Sequence, residues 1–230
     1  MTLAIVSAMR EELDAVLVLM PDERKVTLGG RDYWRGHLHG QEVIAVLSRI
    51  GKVAAATTAT ALIGHFGVRE IVFTGVAGGL GHGVQVGDVV VAQGFLQHDM
   101  DASPLFPRHE VPLYGRTIFA TDASLTARLA RAVRQALPDS RCHQGLIISG
   151  DRFVATTAEA RALQAELPQA LAVEMEGAAI AQVCHDYGVA YAAVRTISDR
   201  ADDQAHGDFT RFVQEVASRH SAAIVQALLA

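Results

Sequence analysis

The sequence predicts an α/β domain with a mostly parallel or mixed central sheet. Three observations predict it. Short apolar runs alternate along the chain with helical stretches. Several of these runs are continuous rather than alternating, as in strands covered on both faces. No linker, low-complexity tract or internal repeat interrupts the 230 residues, so a single domain spanning 1–230 is expected. A chain of this length buries roughly 70% or more of its unfolded surface and needs no staples.

The elements run in chain order. "LAIVSAM" (3–9) is an apolar first strand, and "REELDAVLVLM" (10–20) carries helical periodicity. "DYWRGHLHGQEVIAVLSRIG" (32–51) reads as a hairpin turning at "HG". "KVAAATTATALIGHFG" (52–67) is a small-residue helix closed by Gly67. "EIVFTG" (70–75) is a strand leading into the glycine-rich "VAGGLGHGVQVG", and "DVVVAQGFLQHDM" (88–100) is the next strand. "ASLTARLARAVRQAL" (123–137) is an amphipathic helix ended by Pro138, and "QGLIISGD" (144–151) is a strand. Thr156 and Glu159 form a capping box at the start of a helix over 156–167. "ALAVEME" (170–176) is a strand entering the helix "GAAIAQVCHDYG", and "VAYAAVRTISD" (189–199) is a further strand. A closing helix runs from about Phe209 to Leu229.

Composition narrows the class. Hydrophobic residues are 50% and charged residues 20% of the chain, a globular balance. A net charge of −5 with no basic run argues against a nucleic-acid partner. Cys142 and Cys184 are too few for a disulfide framework. "MTLAIVSAMREEL" is too short in its apolar stretch for a signal sequence and lacks a basic start. No run approaches the ~20 apolar residues of a membrane helix. A cytoplasmic protein with no membrane partner is expected.

Glu174 and Glu176 stand in apolar company, and burying an unpaired charge is costly. On a strand, residues two apart share a face. Ligands of open α/β sheets bind outside the carboxyl ends of strands, where Gly75–Gly78, Asp151, Glu176 and Asp199 all fall. "TGVAGGLGHG" lacks the G-x-G-x-x-G spacing and leads to a strand, so it is no dinucleotide loop. It is either a tight turn or a close backbone approach to a flat or anionic ligand. His98, Asp99, Asp101, His109 and Glu110 match no zinc or calcium spacing, so no metal is expected. Asp202 and Asp203 read as a solvated loop. Glu11 and Glu12 open a helix, where acids favour the macrodipole, and one of them is free to point into a pocket. No nucleophile signature such as G-x-S-x-G occurs. Three useful acids result: Glu12, Glu176 and Asp199. They suit general acid–base chemistry on a neutral or cationic small molecule, without naming it.

Seven motifs carry a resemblance. "IVSAMREEL", "RIGKVAAA", "TGVAGGL", "VGDVVV", "LIISGDRF", "AVEMEGAAIAQVCH" and "VRTISDRAD" resemble, in order and spacing, the 5′-methylthioadenosine/S-adenosylhomocysteine nucleosidases of the nucleoside phosphorylase superfamily. The resemblance implies a three-layer α/β/α sandwich with a mixed central sheet, a homodimer, no cofactor, and hydrolysis that releases adenine from a 5′-thio-substituted nucleoside in methionine salvage. It implies that Glu12 activates water and that Asp199 protonates adenine N7. Glu176 and Met175, with Glu174 beside them, are then to hold the ribose hydroxyls. Phe153 is to stack on adenine, with the Val154 backbone at its edge. Ala77 and Gly78 are to approach the purine and sugar, with Ile50, Val76 and Phe209 also at the substrate and Arg195 and Ser198 in support. Val76 stands where the family often has serine, and Arg49 where a small residue is common. The loop after His98-Asp99, with Leu105, Phe106, Val111 and Leu113, is implied to reach the partner subunit's 5′ pocket. A phosphorylase using Arg10 and Arg49, a nucleosidase for another 5′-substituted adenosine and a non-catalytic nucleoside binder are the alternatives.

Overall fold

The structure, a computed structural model, describes residues 2–202, Ala205, Phe212 and 216–230. The described elements are β1 (Leu3–Ser7), α1 (Arg10–Leu17), β2 (Arg24–Leu28), β3 (Arg31–Leu38), β4 (Gln41–Leu47), α2 (Lys52–Gly64), β5 (Glu70–Gly79), β6 (Val89–Gln97), β7 (Ile118–Ala120), α3 (Ala123–Ala136), β8 (Cys142–Ser149), α4 (Thr157–Glu166), β9 (Ala170–Glu174), α5 (Gly177–Tyr187), β10 (Ala190–Asp199) and α6 (Ser218–Leu229). The expected closing helix is seen as α6, and Phe209 lies outside the described residues.

The ten strands form one mixed sheet in the order β2-β3-β4-β1-β5-β9-β8-β6-β10, with β7 on β6. β10 also pairs with β5, so β5, β9, β8, β6 and β10 close into a ring. β1 and β5 are parallel neighbours, as are β5 and β10, whereas β6 runs antiparallel to β10. Every residue of β1 is buried, as its unbroken apolar run requires.

Helices cover both faces. Alanines of α2 and α5, including Ala55, Ala59, Ala178 and Ala181, let those two helices sit close together on one face. On the other face α1, α3 and α6 contribute Leu13, Val16, Leu129, Val133, Ile224 and Val225. Each such fully buried aliphatic side chain is worth about 1.5–3 kcal/mol. The β3–β4 hairpin turns at His39 and Gly40, whose φ values of 50° and 79° match a two-residue primed turn. Thr156 caps α4 by accepting from the Glu159 N–H at 3.2 Å, and its hydroxyl donates to the Glu159 carboxylate at 3.0 Å.

Two expectations are corrected, and two strands are new. The glycine-rich stretch is not a loop from Gly75 onward, because β5 continues through Gly79. Pairing with β10 and β9 draws it out, and glycine is needed for the close approach. A Cβ on Gly78 would lie 3.0 Å from Asp199 Oδ1, and one on Gly79 3.1 Å from Ile197 Cγ2. The strand entering α5 stops at Glu174 rather than Glu176, where its partner β8 ends at Ser149. Glu174 and Glu176 therefore share no strand face. β2 and β7 were not expected: β2 is an almost wholly exposed edge and β7 has only three residues.

Candidate active site

A cavity of about 330 Å³ opens at the carboxyl ends of β1, β5, β9 and β10. The loop after β1 supplies Ala8 and Met9, β5 supplies Gly75, Val76, Ala77 and Gly78, and β10 supplies Arg195, Ser198 and Asp199. β9 and the bend after it supply Val173, Glu174, Met175 and Glu176. Ile50 and Phe153 complete the wall from two loops.

Glu12 lies in the first turn of α1, and its carboxylate reaches behind Gly75. Its oxygens would be 3.4 and 3.5 Å from a Cβ at that glycine, where Arg195 Nη1 would also be 3.6 Å away. The Met9 N–H donates to Glu12 Oε2 at 3.2 Å, which uses an otherwise orphaned donor of the helix start. Oε1 is buried with no partner. Burial raises the Glu12 pKa to about 7, against the pull of the Met9 N–H and the Arg195 charge. A carboxyl poised there is suited to accept a proton near neutral pH.

Glu174 and Glu176 differ sharply. Glu174 Oε2 receives Arg195 Nη2 at 2.8 Å and the Glu176 N–H at 3.2 Å. The Gly177 N–H reaches both Glu174 oxygens, at 3.0 and 2.9 Å, and Ser149 donates to Oε1. Arg195 is itself fully buried, 3.8 Å from the Phe73 ring centroid and bonded to the Phe73 and Val194 carbonyls. Glu174 and Arg195 thus neutralise one another. Glu176 accepts from the Gly51 N–H at 2.8 Å. Burial and the Glu174 charge push its pKa up to about 8.

Asp199 ends β10 and is buried. Oδ2 accepts from the Ser198 hydroxyl and Oδ1 from the Ala201 N–H, both at 2.8 Å. These bonds aim the carboxyl from a rigid strand end. Val154 lines a small recess that adjoins the cavity beside Phe153 and Asp199.

The structure thus gathers eleven of the anticipated residues directly on the cavity wall: Ile50, Val76, Ala77, Gly78, Phe153, Glu174, Met175, Glu176, Arg195, Ser198 and Asp199. Glu12 stands behind Gly75 and Val154 in the recess. Met9, Gly51 and Ser149 went unnoticed in the sequence. Met9 had a signal, lying between a strand end and a helix start, but the other two act only through folded contacts. The segment 97–112 is otherwise engaged: Asp99 pairs with Lys52, Asp101 with Ser103 and His109 with Glu166. Among the described residues, no group of three or more His, Cys, Asp or Glu is placed to hold a metal ion. Val111 is turned into the protein's own core, whereas Leu105 and Leu113 are exposed.

Such a cavity, with acids at a sheet's carboxyl edge and no free cation among its described wall residues, defines an α/β protein built for acid–base work on a small molecule. The chain belongs to the phosphorylase superfamily, whose family model matches residues 2–230. A 5′-methylthioadenosine/S-adenosylhomocysteine nucleosidase of Actinobacillus succinogenes is 38% identical over 231 residues, covering 100% of this chain and 99% of that protein. The Neisseria meningitidis nucleosidase of that name, solved with methylthio-immucillin-A, matches at TM-score 0.94 and 36% identity, covering 99% of this chain and 97% of its own. Futalosine hydrolase of Helicobacter pylori strain 26695 matches at TM-score 0.91 and 36% identity, covering 99% and 96%. The three-layer α/β/α arrangement with a mixed sheet is common ground between the resemblance and the structure.

Proposed function

We propose that the chain hydrolyses the N-glycosidic bond of 5′-methylthioadenosine and S-adenosylhomocysteine, releasing adenine and the 5′-thio-substituted ribose. Water attacks C1′ and passes a proton to Glu12. The C1′–N9 bond breaks with its electron pair moving to the base, and Asp199 delivers a proton to adenine N7. Glu176 and Met175 hold the ribose hydroxyls. Positive charge builds on the sugar as the bond lengthens, and nearby fixed carboxylates favour it. Phe153, with the Val154 backbone behind it, receives the adenine.

The observation that carries this reading is the state of Glu12: enclosed, with a pKa near 7 and Oε1 unpartnered. A phosphorylase needs cationic groups at that end. Arg195 is committed to Glu174, Arg10 pairs with Asp14, and Arg49 donates to the Gly30 carbonyl. The decisive experiment is product analysis with and without inorganic phosphate. Adenine release at full rate in water alone is expected, and a ribose 1-phosphate derivative as main product would move the chain to the phosphorylase class.

The working form is a cytoplasmic homodimer serving methionine salvage. Two features support the dimer. Val53, Leu105 and Leu113 are 78%, 85% and 92% exposed, apolar side chains that a partner subunit would cover. Ile50 stands half in the open at the cavity mouth, which a partner's loop would close. Both cysteines are free, which suits a reducing compartment.

A further inference from the structure

We propose that Lys52 is a positioning residue for Glu176, acting through a clasp that Lys52, Asp99 and Asp151 close across the cavity rim. The proposal rests on reading Glu176 as the group that holds the ribose. Lys52 is the first residue of α2. Its Nζ donates to Asp99 Oδ1 at 2.6 Å and to Gln97 Oε1 at 3.1 Å. Its backbone N–H donates to Asp151 Oδ1 at 2.7 Å. The Asp151 N–H donates in turn to Asp99 Oδ2 at 2.9 Å. These bonds make a closed ring through the segments that come after β4, β6 and β8. Gln97 continues it to α5, donating to Gln182 Oε1 at 2.8 Å.

The ring ends one residue from the ribose group. Gly51, immediately before Lys52, donates its N–H to Glu176 Oε1 at 2.8 Å. Gly51 has φ 96°, a conformation that suits glycine, and a Cβ there would lie 3.1 Å from Asp151 Oδ1. Glycine has no side chain of its own to fix this peptide. The peptide that follows it is restrained on both sides, the Lys52 N–H by Asp151 and the Gly51 carbonyl by the Ala55 N–H at 3.0 Å, which limits how the Gly51 backbone can turn. The pair is sheltered, with the Lys52 side chain 16% and the Asp99 side chain 33% exposed. Although burial opposes its charge, hydrogen bonds from Lys52 and the Asp151 N–H hold the Asp99 carboxyl below its usual range. The Asp99 carboxyl is therefore kept in the charged form that receives the Lys52 ammonium. The task of the pair is to keep the Gly51 N–H aimed at Glu176.

The test is a double-mutant cycle on the full-length protein, reading kcat and KM for methylthioadenosine. Lys52→Met should lower kcat/KM on the order of 10- to 100-fold, the scale of a misplaced site group. Lys52→Arg, which can still reach Asp99, should recover most of that loss. In a Glu176→Ala background Lys52→Met should cost less than about threefold more, since the bond it serves is already gone. Asp99→Asn should reproduce the Lys52→Met loss, and it takes that variant's place in the cycle if Lys52→Met does not fold. Losses from Lys52→Met and Glu176→Ala that multiply would overturn the clasp's role while leaving the ribose reading of Glu176 intact. Glu176→Ala at wild-type rate would instead overturn the ribose reading, and the proposal with it.

Discussion

At the floor of the cavity Glu12, Glu174, Arg195 and Asp199 are buried almost completely, and each is held by donors or acceptors from strand ends and helix starts. At its rim Ile50 and Phe153 stand partly in the open, and elsewhere on the surface α2 and the loop after β6 expose Val53, Leu105 and Leu113. The floor has charge closed off from bulk solvent, the rim has apolar surface without cover. Bond cleavage needs fixed charges in a dry place, where they act most strongly. Recognition of a 5′ thioether needs only apolar walls, and a second subunit can bring those. The floor is held on all sides by this chain's own groups, and the mouth stands open.

The comparison breaks most readily at Asp199. Asp199→Asn keeps size and polarity but cannot supply a carboxylic proton, so kcat should fall roughly 10²- to 10⁴-fold while ligand binding persists. A variant that retains more than about a tenth of wild-type kcat would remove Asp199 from its role. Next comes the division between the two neighbouring glutamates. Glu174→Gln strands the Arg195 charge in the interior and should cost about 3–5 kcal/mol in urea denaturation. Glu176→Gln should cost far less at pH 7, since Glu176, with its pKa near 8, is already largely protonated there. Equal costs would show that the two acids are not distinguished as described.

Acidity sharpens the contrast with two opposite signs. Glu12 must lose its proton to act as a base, so kcat/KM should rise with pH through about 7. The fold should respond the other way. Glu12 and Glu176 titrate near 7 and 8 when folded, against 4.5 ordinarily. Their contribution to stability is therefore complete below pH 4.5 and is lost as pH rises through 7 and 8. Thermal midpoints across that range should decline, and Glu12→Gln should flatten part of the slope; a midpoint that climbs instead would contradict both raised values. The smallest effect belongs to the rim. Leu113→Asp should leave adenosine cleavage near wild type and lower kcat/KM for methylthioadenosine about tenfold, as a few lost methylene contacts would. It should also weaken the dimer in sedimentation; unchanged mass and unchanged preference would clear this loop of any part in the pocket.

Much of the floor was legible because it is written in local runs. The apolar strand ending in Asp199, the apolar run that carries Glu174 and Glu176, and the acid pair opening α1 place themselves by periodicity. What escaped was set by pairing. "TGVAGG" looks like a turn, but neighbouring strands on either side extend it, and they need glycine because Asp199 and Ile197 press against it. "ALAVEME" gives no sign of stopping at Glu174, since the limit is imposed by β8. The Arg195–Glu174 pair spans 21 residues and the Lys52–Asp99 bond 47, distances over which no spacing rule operates. β2, exposed nearly throughout, has no apolar face to announce it.

Three helices begin at the cavity, and each opening turn meets an acid: the Met9 N–H meets Glu12, the Gly51 N–H meets Glu176, and the Gly177 N–H meets Glu174. The carboxyl groups of the site are thus held largely by peptide groups built into the fold, with buried Arg195 as the further partner of Glu174. Dissolved ions screen exposed charges over about 8 Å at physiological ionic strength, and buried ones much less. Turnover should therefore change little between dilute and physiological salt, because these carboxyl groups are buried among peptide donors.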